Sequence, residues 1–418
     1  MTSTRLSVID EIFLRTHRGY GTPIALQGIW RTAESVTQDE LDRVHAALAR
    51  GQLGRQVGVP RIPGARLRWD VCSTSLPLTV ASEPVDDAIE WADHQADVQL
   101  DPQYGPGWRL TAAPLTGGGT VVSLVCSHAL ADARGLIDAA AQSFSGSVET
   151  EPIASPGSDA ADALRMVVTV LVRSIVATAR LWVSAKARAE LRAFTASDPN
   201  RTRPHRVRRA FSVVVDVDAA QWDSAAELGG GSPNSLFVCV VAATMAELGS
   251  PTVTVDIPFR TGSGDANSIG MATVDVRGDD SPAAVRAACK AAFAAPVGAP
   301  AGYPPEVVQL LPHRLAAKLT STPGRGEVLC SNIGDIPHAL TTLGSHRSCG
   351  LATRAIHPAP TGPIPLSTIR LSTYLSRMDG RYTLSLVCTD DALVGSAAEL
   401  TAAVHRALAR RNLAGTPW

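Results

Sequence analysis

The sequence predicts an α+β fold in two similar halves, and three observations carry that expectation. Short runs dominated by β-branched residues, such as TVVSLVCS (120–127), TVTVDI (252–257) and YTLSLVC (382–388), are interspersed with Ala- and Leu-rich helical patterns. They do not alternate as a regular βαβα series, which disfavours a doubly wound sheet or an α/β barrel. The length of 418 residues corresponds to two to three domains at about 150 residues each. A Pro-broken basic stretch at 195–209 (TASDPNRTRPHRVRR) marks the division, with segments 1–194 and 210–418 on either side.

The composition bounds the class. At 45% hydrophobic and 18% charged, the chain has ample apolar side chain for a core, and with 5% aromatics that core must be built from Ala, Val and Leu. Lys and Arg (38) nearly balance Asp and Glu (39), for a net charge of -1. That argues against a nucleic-acid binder and against a disordered chain. Seven cysteines, at 72, 126, 239, 289, 330, 349 and 388, form no CxxC pair and no disulfide framework. Most sit in apolar runs as small buried hydrophobes, so a reducing cytoplasm is expected and a metal site is not.

In chain order, the first 145 residues are mixed α and β. MTSTRLSVIDEIFLRTHRGY places Asp10 and Glu11 where a signal peptide would need its apolar centre. Thr37-Gln38-Asp39-Glu40 is a capping box opening a helix through Leu41, Val44 and Leu48. ARLRWDVC (65–72) is extended, 84–94 is a short helix, and WRLTAAPL (108–115) is again extended. Gly117-Gly118-Gly119 then turns the chain into TVVSLVCS, and a helix follows His128 through Leu136, Ile137 and Ala140.

Residues 146–160 form a polar loop. The longest helical pattern comes next, at 161–194, punctuated by Arg165, Arg173, Arg180 and Lys186. Basic residues bordering an apolar face would suit a membrane surface, so peripheral membrane contact is one reading. The ordinary one is a Val/Leu stripe packed on the body of the protein, and the usual amphipathic pattern favours it. No stretch reaches the 18 or so uncharged apolar residues of a spanning helix. The second half predicts strands at AFSVVVDVD, TVTVDI (252–257), ATVDVR (272–277), EVLCS (327–331), LATRA (351–355), TIRLSTYL (368–375) and YTLSLVC. Helices are expected near 281–295, 305–320 and 397–411.

GxSxG, GxxxxGK[ST], HExxH and strand-linked GxGxxG motifs are all missing, so the usual markers of nucleotide, zinc and dinucleotide chemistry are lost. What stands out is Ser127-His128-Ala129-Leu130-Ala131-Asp132, at the end of one strand and leading into a helix. Period two puts Val122, Leu124, Cys126 and His128 on one face, aiming the imidazole where the apolar residues go. A neutral histidine there can take a proton from a hydroxyl or amine attacking an acyl carbon. With ten His and 39 acids, however, HxxxD spacing arises readily by chance. On spacing alone a satisfied core histidine is the ordinary reading.

VVSLVCSHALADARG resembles the active-site motif of the chloramphenicol-acetyltransferase-like superfamily. That group includes condensation domains of peptide synthetases, wax-ester/diacylglycerol acyltransferases and polyketide-associated acyltransferases. RLSVIDEIFLR is similar to the start of the latter two branches. PNSLFVCVVAATMAEL followed by VTVDIPFRTGSGDANSIGM resembles their Asn-led helix, strand with Arg, and Gly/Asn turn, and VLCSNIGDIP their Ser-Asn-x-Gly segment. Two departures stand out: Ser127 replaces the first of two usual histidines, and Ala133-Arg134 intervene before Gly135.

The resemblance implies two chloramphenicol-acetyltransferase-like subdomains, each a mixed sheet with helices, and an active-site tunnel at their interface. It makes His128 the general base and Asp132 a structural carboxylate ion-paired to an arginine, with Arg260 as the expected partner. Ser331 and Asn332 would line the tunnel and offer a hydrogen bond to an oxyanion, or simply end a strand. Gly135 would shape the turn beside the substrate. The donor would be an acyl-CoA or a phosphopantetheinyl carrier-protein thioester, as co-substrate with no other cofactor, and the acceptor an alcohol or amine. No covalent acyl-enzyme is needed, and Cys126 reads as wall. Arg206, Arg208 and Arg209, with Arg201, Arg203 and His205, form either a solvated linker or a dock for CoA or an acyl carrier protein. The expected protein is a monomeric acyltransferase of lipid or polyketide biosynthesis. Its alternatives are condensation or cyclisation on a carrier-bound chain, and a non-catalytic module that docks synthase domains.

Overall fold

The computed structural model describes residues 4–17, 24–144, 157–195, 205–207, 209–260, 269–294, 302–312, 315–316, 326–358 and 366–418. Arg201, Arg203 and Arg208 of the basic connector lie outside them.

The first half carries α1 (Val8–Arg15), β1 (Ala25–Thr32), α2 (Gln38–Arg50), β2 (Arg55–Gly58), β3 (Arg68–Val71), β4 (Thr79–Val80), α3 (Ala88–Ala96), β5 (Trp108–Pro114), β6 (Thr120–Ser127) and α4 (Ala133–Phe144). β6 is buried at every position, antiparallel to β1 on one side and β5 on the other. Its alternation divides the core: Val122, Leu124 and Cys126 join the cluster that includes α2 and α4 residues, while Val121 packs with α3. The capping box at Thr37 is formed as the sequence indicates.

Two long helices follow, α5 (Asp159–Val183) and α6 (Ala185–Thr195). The expected single helix over 161–194 is thus broken at Ser184. Its N–H still donates to the Arg180 carbonyl, and its hydroxyl accepts from the Ala187 N–H. The side chain thereby caps α6 and lets the axis change at that point. The expected packing of the Val/Leu stripe is also overturned. α5 turns Ala163, Met166 and Ala177 inward, while Leu164, Val167, Val168, Leu171, Val172, Ile175 and Val176 are exposed. Ala163, Met166 and Ala177 lie opposite the stripe, so the buried face of α5 is that one.

The second half contains β7 (His205–Arg206), β8 (Phe211–Asp218), α7 (Ala219–Leu228), α8 (Pro233–Glu247), β9 (Thr252–Arg260), β10 (Ile269–Arg277), α9 (Pro282–Phe293), α10 (Val307–Leu310), β11 (Val328–Asp335), β12 (Thr342–Leu343), β13 (His346–Ile356), β14 (Leu366–Ser367), β15 (Leu371–Met378), β16 (Arg381–Cys388), α11 (Ala397–Ala409) and β17 (Gly415–Pro417). Within 305–320 the described helical residues are Val307–Leu310 and 315–316. Seven strands form one sheet in the order β10-β9-β11-β15-β16-β8-β17, with β11 parallel to both neighbours. α8, apolar all round, is the buried helix against it, as such a sequence requires.

The other sheet runs β12-β13-β1-β6-β5-β4. The second half therefore lends two strands to the first: β13 pairs antiparallel with β1 from Ala25↔Ile356 onward. Strands β12 and β13 thus cross the expected division at 195–209. Without β13, β1 would expose an open edge. A buried arginine fastens the crossing: Arg354 meets Asp93 at 2.6 Å and donates from Nε to Gln27 Oε1 at 2.7 Å.

Glu40 fastens it a second time. Its carboxylate accepts from Thr37, from Ser345 and, at 2.8 Å, from His346 at the start of β13. Desolvation raises the Glu40 pKa, but these bonds outweigh it and hold the carboxyl down at about 2. A depressed folded-state pKa adds stability that is complete above the ordinary value of 4.5 and is lost as pH falls towards about 2. Acid unfolding followed by circular dichroism should therefore be shallower between those limits in Glu40→Gln. An unchanged acid limb would remove Glu40 as a contributor.

Candidate functional site

His128 is the first residue after β6, on the central strand pair of the first sheet. The chain then turns tightly: Leu130 N–H donates to the Ser127 carbonyl, and Ala129, Leu130 and Ala131 are buried. Asp132 ends the turn as the N-cap of α4. Its Oδ1 accepts from Gly135 N–H at 2.6 Å and its carbonyl accepts from Leu136 N–H. The four-residue interval between His128 and Asp132 is thus a strand end, one turn and a helix cap.

The imidazole lies on the face that period two assigns it, stacked on Phe13 with ring centroids 3.6 Å apart and planes 15° from parallel. Phe13 belongs to α1, whose capping box at Ser7 and Asp10 sets the helix in place. His128 keeps some accessible surface, yet protein atoms crowd the ring, and desolvation pushes its pKa down to about 4. Its own backbone carbonyl opposes this only in part. Buried Nδ1 has no hydrogen-bond partner of full geometry among the described residues. At neutral pH the ring is uncharged.

Beneath the turn lies Arg55, which no sequence motif marks. It is buried, donates from Nη2 to the Leu130 carbonyl at 2.5 Å, and stacks on Trp69 with its guanidinium carbon 3.9 Å from the ring centroid. Burial lowers its pKa to about 10, against the favourable field of Asp10. Cys126 lies in the fields of both Arg55 and Asp132, but desolvation dominates and pushes the thiol up to about 12. That thiol is no nucleophile at neutral pH. The signal available for Arg55 was slight: one arginine at the start of a four-residue strand, with no spacing that ties it to residue 130.

Expected site residues are placed as follows. Gly135 is buried in the first turn of α4, where an added Cβ would meet Asp132 Oδ1 at 3.2 Å, so it serves the cap. Asn332 is exposed on β11 at a bulge. Its Nδ2 donates to Asn234 Oδ1 on α8, and its Oδ1 accepts from the N–H of Gly334, whose φ is +80°. Both ends of that amide are thereby engaged in shaping the strand. Ser331 is half-buried, and the neighbouring β11 residues Leu329 and Ile333 pack into the first half's core. Arg260 ends β9 and its side chain lies outside the described residues, as would the expected pair with Asp132. The described role of Asp132 is the helix cap. Arg206 is exposed on β7, paired with β14, and Arg209 is exposed near the Phe211 ring.

The two halves meet around the turn. Ile333, Ile336, Tyr374 and Met378 share one apolar cluster with Cys126, Ala129 and Leu130, and Arg134 Nη1 donates to the Asp335 carbonyl at 2.9 Å. α1 is part of the same seam: buried Arg15 donates to Glu11 at 2.5 Å and to the α10 carbonyl of Val308 at 3.1 Å. A cleft of about 1130 Å³ opens on the Glu11–Leu14–Arg15 side of α1, with Tyr104 and Gln309 on its other walls. α1 thus separates the imidazole from a large cavity lined by both halves. Among the described residues no His, Cys, Asp or Glu cluster could hold a metal ion.

No protein-family model matches the chain, and no curated protein matches it by sequence. Solved structures do match it in fold. The wax ester synthase/diacylglycerol acyltransferase from Marinobacter aquaeolei VT8 is 11% identical, covers 98% of this chain and 100% of its own, and superposes with a TM-score of 0.60. The first condensation domain of the calcium-dependent antibiotic synthetase, solved with a substrate analogue, is 15% identical over 98% of this chain and 96% of its own, with a TM-score of 0.60. The condensation domain of the monacolin K polyketide synthase is 12% identical over 98% and 96%, with a TM-score of 0.57. The chain has the α+β, two-subdomain chloramphenicol-acetyltransferase-like fold of these proteins.

Proposed function

We propose that the protein is an acyltransferase that moves an acyl group from a CoA or carrier-protein thioester to a hydroxyl or amine acceptor, with His128 as general base. The observation that carries the reading is an uncharged imidazole at the seam of the two halves, with its pKa lowered by burial. With Nδ1 buried, Nε2 is the nitrogen that meets the acceptor. The acceptor's O–H or N–H proton passes to Nε2 as its heteroatom bonds to the thioester carbon. The carbonyl π pair moves to oxygen, then returns as the C–S bond breaks, and the departing thiolate takes the proton from the imidazole. A proton transfer of this kind contributes about 10²–10⁴ in rate. The growing oxyanion also makes protonation of a desolvated imidazole easier as the transition state forms.

The neighbours named above are carrier-linked synthetase and polyketide-synthase domains and a lipid acyltransferase, which supports a thioester donor and a lipid or natural-product setting. A cytoplasmic location suits such donors. The test is thiol release from a panel of acyl-CoA and acyl carrier-protein donors with alcohol and amine acceptors, the product identified by mass spectrometry. Wild type releasing no thiol with any donor would overturn the reading in favour of a docking module. In the same assay Cys126→Ala is expected to keep transfer within about threefold, since this side chain is wall and its thiol stays protonated. Loss of transfer with the fold intact would instead point to a covalent acyl-enzyme.

A further inference from the structure

We infer that the outer face of α5, with the start of α6, is a docking surface for an anionic lipid bilayer, on which the protein lies without spanning it. Leu164, Val168, Leu171, Val172 and Ile175 recur at helical spacing, and all are exposed. An 18-residue window of α5 reaches a mean hydropathy of 1.7, yet only 11% of it is buried. Against the expectation from uncharged runs alone, this helix is long and apolar enough to cross a membrane, the single described helix of which that holds by itself. Its attachments argue against crossing. Arg5–Asp159 and Arg66–Asp162, each at 2.7 Å, tie its first turn to the body. Thr178 bonds Tyr303 and Arg173 meets Glu306 further along. A helix held to the protein along its length lies on the surface, apolar side outward.

The charge pattern identifies the occupant. Between Asp162 and Glu190 the ionisable residues are Arg165, Arg173, Arg180, Lys186 and Arg188, all basic. At about 100° per residue, Arg165, Arg180 and Arg173 fall along one flank of the apolar face. That combination suits an interface whose interior is hydrocarbon and whose headgroups are anionic. At the α5–α6 break, Trp182 is 81% exposed beside a shallow depression of about 310 Å³ floored by Leu181 and Leu191. Arg188 is fixed there by bonds to the Leu181 and Trp182 carbonyls. An aromatic ring beside a held cation is the arrangement favoured at headgroup depth. A second copy fits less well. The apolar face spans about half the helix circumference, wider than a two-helix seam needs. An antiparallel isologous pair would also set arginine flanks together, where only Arg173 is met by an acidic residue, Glu306, among the described residues.

Vesicle co-sedimentation of the full chain tests this, using phosphatidylglycerol/phosphatidylcholine vesicles against phosphatidylcholine alone at low and high salt. The expected result is binding at least about tenfold tighter to the anionic vesicles and weakened by salt. Leu171→Glu with Ile175→Glu should abolish it. Arg165→Gln with Arg180→Gln should weaken it about fivefold per charge. All four side chains are exposed, so an unchanged thermal transition is the control for folding. Absent binding to anionic vesicles, or binding indifferent to the glutamates, would overturn the proposal. A dimer in sedimentation that the glutamates dissolve, with no vesicle binding, would assign the face to a second copy. None of these readouts depends on acyl transfer, so this inference and the proposed reaction fail separately.

Discussion

Replacing His128 by alanine should lower kcat/KM for thioester acyl transfer by about 10²–10⁴-fold while leaving donor binding largely intact. The imidazole ends the most buried strand of the first sheet and stacks on Phe13, but it caps nothing and bonds no partner at Nδ1 among the described residues. Its removal therefore costs packing and leaves no orphaned partner. The pH profile gives a sharper test. Because burial depresses the imidazole's pKa to about 4, the base form is already present throughout the neutral range. Wild-type kcat/KM should stay flat down through the ordinary histidine value of 6.5 and fall only as pH approaches about 4. The stability sign is the opposite of a salt-bridged histidine's. The unfolded state takes up a proton below pH 6.5 that the native ring refuses, so stability drops between 6.5 and about 4. His128→Asn should remove that slope. An activity inflection near 6.5 in wild type would exclude the lowered pKa, and transfer surviving His128→Ala would exclude the imidazole as the base.

How much of this the sequence discloses depends on whether the determining contact is local. Period two in TVVSLVCS placed Val122, Leu124 and Cys126 on the face that the structure gives them, because that pattern is set by the strand itself. The capping box at Thr37 was legible for the same reason. β1 was not: ALQGIWRT has no clear alternation and is buried along almost its whole length, since both its faces are packed, Leu26 and Trp30 with the α2 and α4 cluster and Ile29 with α3. The transfer of β12 and β13 into the first sheet, and Arg55 beneath Leu130, join residues far apart in sequence, which spacing does not encode. The stripe on α5 was legible as a stripe. Which side of the helix packs was decided by Ala163, Met166 and Ala177, small or flexible side chains that a hydropathy pattern undervalues.

Those non-local contacts make the second large effect a structural one. Arg55→Ala should destabilise the protein by about 1–3 kcal/mol, the cost of leaving a buried carbonyl without its donor. The carbonyl is that of Leu130, inside the turn joining His128 to α4, and the loss also removes the stacking on Trp69. Against this, the variant no longer buries a guanidinium whose pKa is already pulled down to about 10, so the lower part of the range is the better expectation. Asp132 supplies the comparison. If its main role were a buried ion pair, either neutral replacement would be costly, about 3–5 kcal/mol. If its main role is the cap that accepts from Gly135 N–H, the loss should be about 0.5–2 kcal/mol in Asp132→Ala and much less in Asp132→Asn, which keeps an acceptor oxygen. Chemical denaturation of the three variants separates the roles. Asp132→Asn close to wild type, with Arg55→Ala and Asp132→Ala both destabilised, supports a turn held from below by Arg55 and from its end by the helix cap. Asp132→Asn as damaging as Asp132→Ala would mean that the charge itself holds the turn. In either case the loop that presents His128 loosens when its supports go, so kcat should fall in Arg55→Ala while the wild-type pH profile is kept.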